Sequence, residues 1–187
     1  AHERVEQRGL ADVGAAHEGD RGGLVVGGGH GGVPTGGHVL GRPGLEVLHD
    51  MLDGHLPAAP MAEALDFLLV HVGHGEAAFQ GRPGPRFLNP MGGLHGGWYA
   101  TLLDSAVGCA VHTTMPPGRA YTTLELKLNL VRAIGPDVPL VRAEGRTIYV
   151  GRQVATAEGR LVGPDGKLYA HATTTCLIFD LPARAAG

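Results

Sequence analysis

The sequence of 187 residues has little cysteine, little excess charge and no long apolar run. Its two cysteines, Cys109 and Cys176, lie in apolar stretches, which indicates buried, reduced thiols and excludes a disulfide framework. The net charge of −3 predicts no attraction to nucleic acid or to an anionic membrane. No apolar run approaches the roughly 20 residues that span a bilayer, and no signal-peptide core is visible. We therefore expect one cytoplasmic domain with neither a nucleic-acid nor a membrane partner.

Glycine, by contrast, is abundant, with 32 residues, and is concentrated near the start of the chain. Residues 1–43 show no helix or strand periodicity, and glycine-rich chain buries little while losing much entropy on ordering. We predict that this segment is disordered or is a non-native extension ahead of a true start. Its histidines match no pattern of metal ligands, so no metal site is predicted. The functional domain is predicted at 44–182, followed by a flexible tail at 183–187.

Leucines at helical spacing predict a short helix over 44–53, which Asp53 and Gly54 end. Residues 62–70 fit either a helix or a helix that leads into a strand, and 74–82 fit a strand. Residues 96–112 contain no proline and are apolar on every side, which predicts a helix that is buried all round.

The rest of the chain has the pattern of a sheet. Residues 121–131 alternate, with Leu124, Leu126, Leu128 and Leu130 on one side and Thr123, Glu125, Lys127 and Asn129 on the other. Further strands are predicted at 139–150, 152–162 and 167–179, the last two joined by a Pro-Asp-Gly-Lys turn. A sheet must cover its apolar face, and helix 96–112 is the only long apolar element available. The predicted architecture is an α+β fold in which an antiparallel sheet curls around one central helix.

A loop enters this helix through His95, Gly96 and Gly97. The free N–H groups at a helix N-terminus favour developing negative charge, and glycine allows a substrate carbonyl to come close to the backbone. This combination suits an oxyanion site for acyl transfer. A chance occurrence in a glycine-rich chain explains the tripeptide equally well when it is taken alone.

Asp104 is the only Asp, Glu, Lys or Arg in helix 96–112. A carboxylate on a buried helix is costly unless it is paired, hydrogen-bonded or raised in pKa. Such a group is a candidate general base or nucleophile, and the alternative is a structural Asp that ties down neighbouring backbone.

Gly96 and Asp104 are eight residues apart, about 12 Å along a helix. One substrate carbonyl cannot easily reach both groups within one chain. Two antiparallel copies of the helix would bring Gly96 of one chain near Asp104 of the other. If both residues are catalytic, the active site is therefore expected at a homodimer interface.

The run Asn89-Pro-Met-Gly-Gly-Leu-His95-Gly96-Gly97, with Asp104 after six further residues, resembles the signature of the PaaI-type (phenylacetate-degradation) acyl-CoA thioesterases. The resemblance covers roughly residues 44–180. It implies the hotdog fold, in which an antiparallel sheet wraps a long helix, and assembly into homodimers and often homotetramers. One departure lies at Asp66, where the family usually has a glycine before the phenylalanine of its first strand.

The resemblance also implies roles for five residues. The Gly96 N–H polarises the thioester carbonyl with help from Asn89, and Asp104 of the partner chain acts as general base or nucleophile. His95 sits beside the thioester and assists the leaving thiolate. Thr123 orients the water or the carboxylate. The alternation of its strand places Thr123 on the polar side, however, so that a bulge or the dimer contact would have to bring it to the active site.

Coenzyme A carries phosphates, and Arg152, Arg160 and Lys167 lie on or near the hairpin where the family often binds it. Basic residues on strands are also common as solvated side chains. No cofactor is expected, since coenzyme A is part of the substrate. Trp98 and Tyr99 could line an acyl pocket or pack in the core, and the sequence does not identify the acyl group.

The predicted function is hydrolysis of an acyl-CoA thioester. A non-catalytic acyl-CoA-binding hotdog module is the alternative, and Asp104 argues against it because binding alone needs no buried carboxylate. A hotdog hydratase would need an Asp and a His with four or five residues between them near the helix start, which the sequence lacks. A purely structural dimerisation domain is the remaining interpretation.

Overall fold

The structure, a computed structural model, describes residues 41–135 and 137–181. It contains three α-helices and six strands among these residues. The helices are α1 (Gly44–Leu52), α2 (Pro60–Ala64) and α3 (Gly96–His112). The strands are β1 (Phe67–Gly73), β2 (Glu76–Gly81), β3 (Arg119–Leu130), β4 (Val141–Val150), β5 (Val154–Val162) and β6 (Leu168–Asp180). A single 3₁₀ turn, Pro85–Phe87, precedes the loop that enters α3.

All six strands form one antiparallel sheet in the order β1-β2-β4-β5-β6-β3. Helix α3 lies across one face of this sheet. The approach is closest at β4, where a side chain at Gly145 would collide with the backbone of Ala106. A Cβ atom at Gly159 of β5 would lie 2.7 Å from Val107. The predicted α+β fold with a sheet around one helix is confirmed.

The core lies between α3 and the sheet. Leu102, Leu103 and Val107 of the helix are fully buried, against residues such as Val141 and Leu161 of the sheet. Fully burying one such side chain is worth about 1.5–3 kcal/mol, so this contact dominates the stability of the domain.

One side of α3 is not covered by its own sheet. We call it the open stripe: Ala100, Thr101, Asp104, Ser105, Cys109 and His112, which are all partly exposed. The prediction that the helix is buried all round is therefore wrong within a single chain. The stripe residues are small or polar, whereas the large apolar residues of the helix face the sheet.

Residues 62–70 fold as a helix that leads into a strand, with α2 ending at Ala64 and β1 beginning at Phe67. Asp66 lies in the tight turn between them with φ of 54°, the one positive φ at a non-glycine residue in the described chain. Glycine adopts this conformation without steric cost, and β1 forms although the residue here is Asp.

A β-bulge in β3 changes which side chains face the helix. Thr123 pairs with Cys176, but the next pair is Glu125 with Thr175, so Leu124 is the extra residue. Thr123 consequently faces α3, and Leu124 is 60% exposed. The predicted alternation is therefore wrong at Leu124 and Thr123, because a bulge shifts the period of the strand by one residue.

The domain includes at least one residue before its first helix. Arg42 Nη1 lies 2.7 Å from Asp50 Oδ2, and the Gly44 N–H donates to the Met115 carbonyl at 2.9 Å. Residues 1–40 and 182–187 lie outside the described chain, so the predictions for those two segments stay predictions. Within residues 41–135 and 137–181, no helix is both long and apolar enough to cross a membrane.

Candidate active site

The loop before α3 is held by the side chain of Asn89. Its Oδ1 accepts from the N–H groups of Met91, at 2.9 Å, and Gly93, at 3.1 Å. The amide oxygen is thereby fixed, which leaves the amide NH₂ to donate elsewhere. The backbone N–H of Asn89 also donates to the Gly93 carbonyl at 2.7 Å, so the loop is a closed turn.

His95 is the N-cap of α3, and its Nδ1 accepts from the Gly97 N–H at 2.9 Å. Because Nδ1 accepts, the neutral ring carries its proton on Nε2, which is therefore a donor. The cap uses the N–H of Gly97 and not that of Gly96. Gly96 is the first residue of the helix, and its N–H has no intrahelical partner.

The start of α3 is anchored by two buried aromatic residues. Trp98 Nε1 donates to the Leu65 carbonyl at 2.9 Å, and the Tyr99 hydroxyl accepts from the Ile134 N–H at 2.9 Å. Both side chains are 3% exposed. They pack in the core and hold the helix N-terminus in place.

Asp104 lies on the open stripe, beside β3. The Thr123 hydroxyl is 3.4 Å from its Oδ1, a long hydrogen bond that the bulge makes possible. Burial raises the pKa of the Asp104 carboxyl, and the contact with Thr123 offsets this rise in part. A carboxylate with a raised pKa is a better proton acceptor than an exposed one, as a general base requires.

Three ionisable groups near Asp104, the thiols of Cys109 and Cys176 and the phenol of Tyr121, are uncharged. Burial raises the pKa of the Cys109 thiol to about 12, and it also raises the pKa values of Cys176 and Tyr121. All three groups are therefore protonated and neutral near pH 7. No disulfide forms, since both cysteines are free.

The residues singled out in the sequence fall into two groups. Asn89, His95 and Gly96 lie together at the N-terminus of α3, where a Cβ atom on Gly96 would be 3.2 Å from Leu130. Asp104 and Thr123 lie two helical turns further on, about 12 Å away at 1.5 Å per residue. One chain thus presents two half-sites.

The three basic residues singled out for coenzyme A do not form one cluster. Arg152 precedes β5 and Lys167 follows it, so they lie at opposite ends of a nine-residue strand, about 30 Å apart. Arg160 is exposed on the face of the sheet away from α3, opposite Glu144 and His171. The Lys167 ammonium lies 2.6 Å from Asp165.

Sequence reasoning missed Arg132. It lines a groove of about 380 Å³ together with Asn89, Leu130 and other residues at the N-terminal end of α3. Its guanidinium lies 3.4 Å from the Leu168 carbonyl, which places it near the turn that carries Lys167. The only signal for Arg132 in the sequence was its position directly after the predicted strand 121–131.

Comparison with known proteins gives a consistent result. The profile of the Thioesterase superfamily matches residues 91–170, which include the N-terminus of α3 and Asp104. None of the curated proteins matches the chain. Solved structures do match.

A phenylacetic acid degradation-related protein from Ralstonia eutropha JMP134 is 32% identical, with a TM-score of 0.63 over 70% of this chain and 98% of that one. The phenylacetic acid degradation protein PaaI from Thermus thermophilus, solved as a point mutant, is 30% identical, with a TM-score of 0.57 over 64% and 98%. A thioesterase protein from Streptococcus pneumoniae TIGR4, solved with coenzyme A, is 21% identical, with a TM-score of 0.58 over 65% and 94%. The chain belongs to the thioesterase superfamily of the hotdog fold and resembles its PaaI-type members.

Proposed function

We propose that this protein hydrolyses an acyl-CoA thioester to the free acid and coenzyme A. The observation that carries the proposal is Asp104, the one acidic residue of the central helix, which is partly buried beside Thr123 and has a raised pKa. Membership of the thioesterase superfamily supports the reaction class. The acyl-CoA substrate and the roles of the individual residues are part of the proposal.

The thioester carbonyl is bound at the N-terminus of α3. The N–H of Gly96 and the positive end of the helix dipole stabilise the oxyanion that develops in the transition state. The Asn89 amide group is a second donor, because its oxygen is already used within the loop. The Nε2–H of His95, at the same helix end, stabilises the departing thiolate; the Nδ1 atom already accepts from the Gly97 N–H, which leaves Nε2 as the donor.

Asp104 acts as the general base. It removes a proton from a water molecule, whose oxygen forms a bond to the carbonyl carbon and gives a tetrahedral oxyanion. The oxyanion collapses, the carbon–sulfur bond breaks, and the proton held by Asp104 passes to the thiolate of coenzyme A. Thr123 positions the Asp104 carboxylate for the first step.

The two half-sites meet in a homodimer, in which Gly96 of the partner subunit faces Asp104. Two features of the chain support this assembly. Strand β3 pairs only with β6, so the other edge of its 12 residues has no partner within the described chain. The open stripe of α3 is built from small and polar residues, which let a second helix approach closely. The predicted homotetramer would add a second interface and stays a prediction.

Coenzyme A enters along the groove beside Asn89. Arg132 in this groove is a candidate partner for its phosphates, with Lys167 near the same end of the sheet. The Streptococcus pneumoniae relative was solved with coenzyme A, which supports binding of this ligand here. Arg152 lies at the other end of β5 from Lys167, whereas Arg160 lies two strands from Asn129 on the outer face of the sheet and stays a further candidate.

A thiol-release assay over a panel of acyl-CoA substrates tests the proposal. We expect the wild type to release coenzyme A from at least one substrate and Asp104→Asn to lose about 100-fold or more in kcat/KM, since proton transfer contributes 10²–10⁴-fold. Ser105→Ala, on the same stripe, is the matched control and should stay within about threefold. Tight binding of an acyl-CoA without release by the wild type would instead identify a binding module.

A further inference from the structure

Leu130 is the last residue of β3 and lies on the side of the sheet that faces α3. It pairs with Ala170 of β6, which is fully buried in the core, and residues paired across two strands point to the same side of a sheet. Leu126 and Leu128, on the same side of β3, pack against the core. Leu130 is nevertheless 50% exposed, so the end of β3 presents a large apolar side chain beside the helix.

The Leu130 side chain touches the helix end that carries the proposed oxyanion site. A Cβ atom on Gly96 would lie 3.2 Å from Leu130 Cδ1, the one described atom from outside this stretch of the helix within 4 Å of that position. The same leucine lines the groove of about 380 Å³ that also holds Asn89 and Arg132. Leu130 therefore lies where this groove meets the N-terminus of α3.

The proposed substrate has an apolar portion that suits this position. In an acyl-CoA, the carbonyl carbon is bonded to a sulfur atom, and methylene groups follow the sulfur before the first amide of the coenzyme A arm. If Gly96 and Asn89 hold the carbonyl and the arm lies in the groove, these methylene groups lie beside Leu130. Contact between them removes apolar surface from water, which favours binding. It also keeps water away from the Gly96 N–H.

We propose that Leu130 is a substrate-positioning residue, which packs against the methylene groups next to the thioester sulfur and holds the carbonyl at the Gly96 N–H. The inference rests on the proposed thioesterase function. Leu130 belongs to the same half-site as Gly96 and Asn89, so one subunit supplies all three while the partner supplies Asp104. It forms no bond to the substrate and moves no proton.

The test measures kcat and KM with one acyl-CoA that the wild type hydrolyses. Leu130→Ala removes the contact and should lower kcat/KM by about tenfold or more, since even one methylene in an apolar pocket is worth about that much. KM should rise by about fivefold or more, because the contact is already made in the bound substrate. Leu130→Met keeps an apolar side chain of similar volume and should leave both constants within about twofold.

The rise in KM is the decisive quantity, because partial unfolding lowers the amount of active enzyme and leaves KM unchanged. Leu124→Ala is the matched control, the same change on the same strand at the bulge leucine that is 60% exposed. It should leave both constants within about twofold. If Leu130→Ala cannot be obtained folded, Leu130→Val shortens the side chain and should change both constants in the same direction by about threefold or more.

Four outcomes overturn the inference. A folded Leu130→Ala variant with the KM of the wild type overturns it and leaves the thioesterase function standing. A loss of the same size in Leu130→Met, or an equal rise of KM in Leu124→Ala, does the same. A wild type that releases no thiol from any acyl-CoA overturns the proposed function and the inference with it.

Discussion

At the scale of single residues, the role proposed for Asp104 conflicts with its position, because a general base must be ionised and burial disfavours the ionised form. Its partly buried position raises the pKa of the carboxyl and disfavours the ionised form that a general base needs. The folded state thus binds the Asp104 proton more tightly than the unfolded chain does. Stability is consequently lost as the pH rises from the ordinary value of 3.8 through the raised pKa.

Asp104→Asn removes this titration. We expect the variant to become more stable relative to the wild type as the pH is raised from about 4 to about 8, while it stays inactive. Thermal unfolding of both proteins across this range measures the difference. A relative stability of the variant that falls over the same range would show that the ionised carboxylate stabilises the fold.

The activity of the wild type should rise with pH over the range in which its stability falls. A general base must be ionised, so kcat/KM should rise with pH through the raised pKa of Asp104 and then level off. The profile is measured with one good substrate between about pH 4 and about pH 8. Activity that is already maximal at the acid end would exclude Asp104 as the base.

Asp66 carries a local strain that can be relieved. Its φ of 54° is a left-handed conformation, which costs an L-residue about 1–2 kcal/mol, although Asp tolerates it better than most. We expect Asp66→Gly to stabilise the protein by up to about 1 kcal/mol and Asp66→Ala to destabilise it by about 1 kcal/mol. Thermal or urea unfolding measures the free energy of unfolding of both Asp66 variants, and equal values would contradict the assignment of strain.

At the scale of elements, the helix was the most predictable part. The sequence predicts α3 over 96–112 with the observed bounds, because its start and apolar composition are local properties. Strands β4, β5 and β6 were also predicted to within two residues, from local alternation and the turn between β5 and β6.

The bulge in β3 could not be predicted, since it depends on the register with β6, which lies far along the chain. It nevertheless decides which hydroxyl faces Asp104. The same limit applies to Arg132, which only the folded chain places in a groove with Asn89, and to Arg152 and Lys167, which lie at opposite ends of β5. Local patterns identify which residue types are present, and long-range pairing determines which of them meet.

At the scale of the whole molecule, the folded domain begins before α1. Arg42 forms ion pairs with Asp50, at 2.7 Å, and Glu46, at 3.7 Å. We expect a chain that starts at Gly41 to retain fold and activity, and one that starts at Gly44 to be only slightly less stable, because exposed ion pairs contribute little. A loss of activity in the chain that starts at Gly41 would show that residues 1–40 belong to the functional protein.

The central claim is an active site shared between two subunits, with Gly96 from one and Asp104 from the other. It is tested by combining two inactive variants, Asp104→Asn and Gly96→Val, the second of which crowds Leu130 and the helix N-terminus. A heterodimer refolded from both variants contains one site with both lesions and one intact site. Thiol release should therefore return to about half of the wild-type value per dimer if the sites act independently.

The matched control combines Asp104→Asn with Asp104→Ala, in which every site carries a lesion whatever the assembly. This pair should recover no activity. If Asp104→Asn with Gly96→Val also recovers none, although heterodimer formation is confirmed by mass, each site is built within one chain and the shared-site account is wrong. Recovered thiol release in the test pair alone is the result that the account predicts.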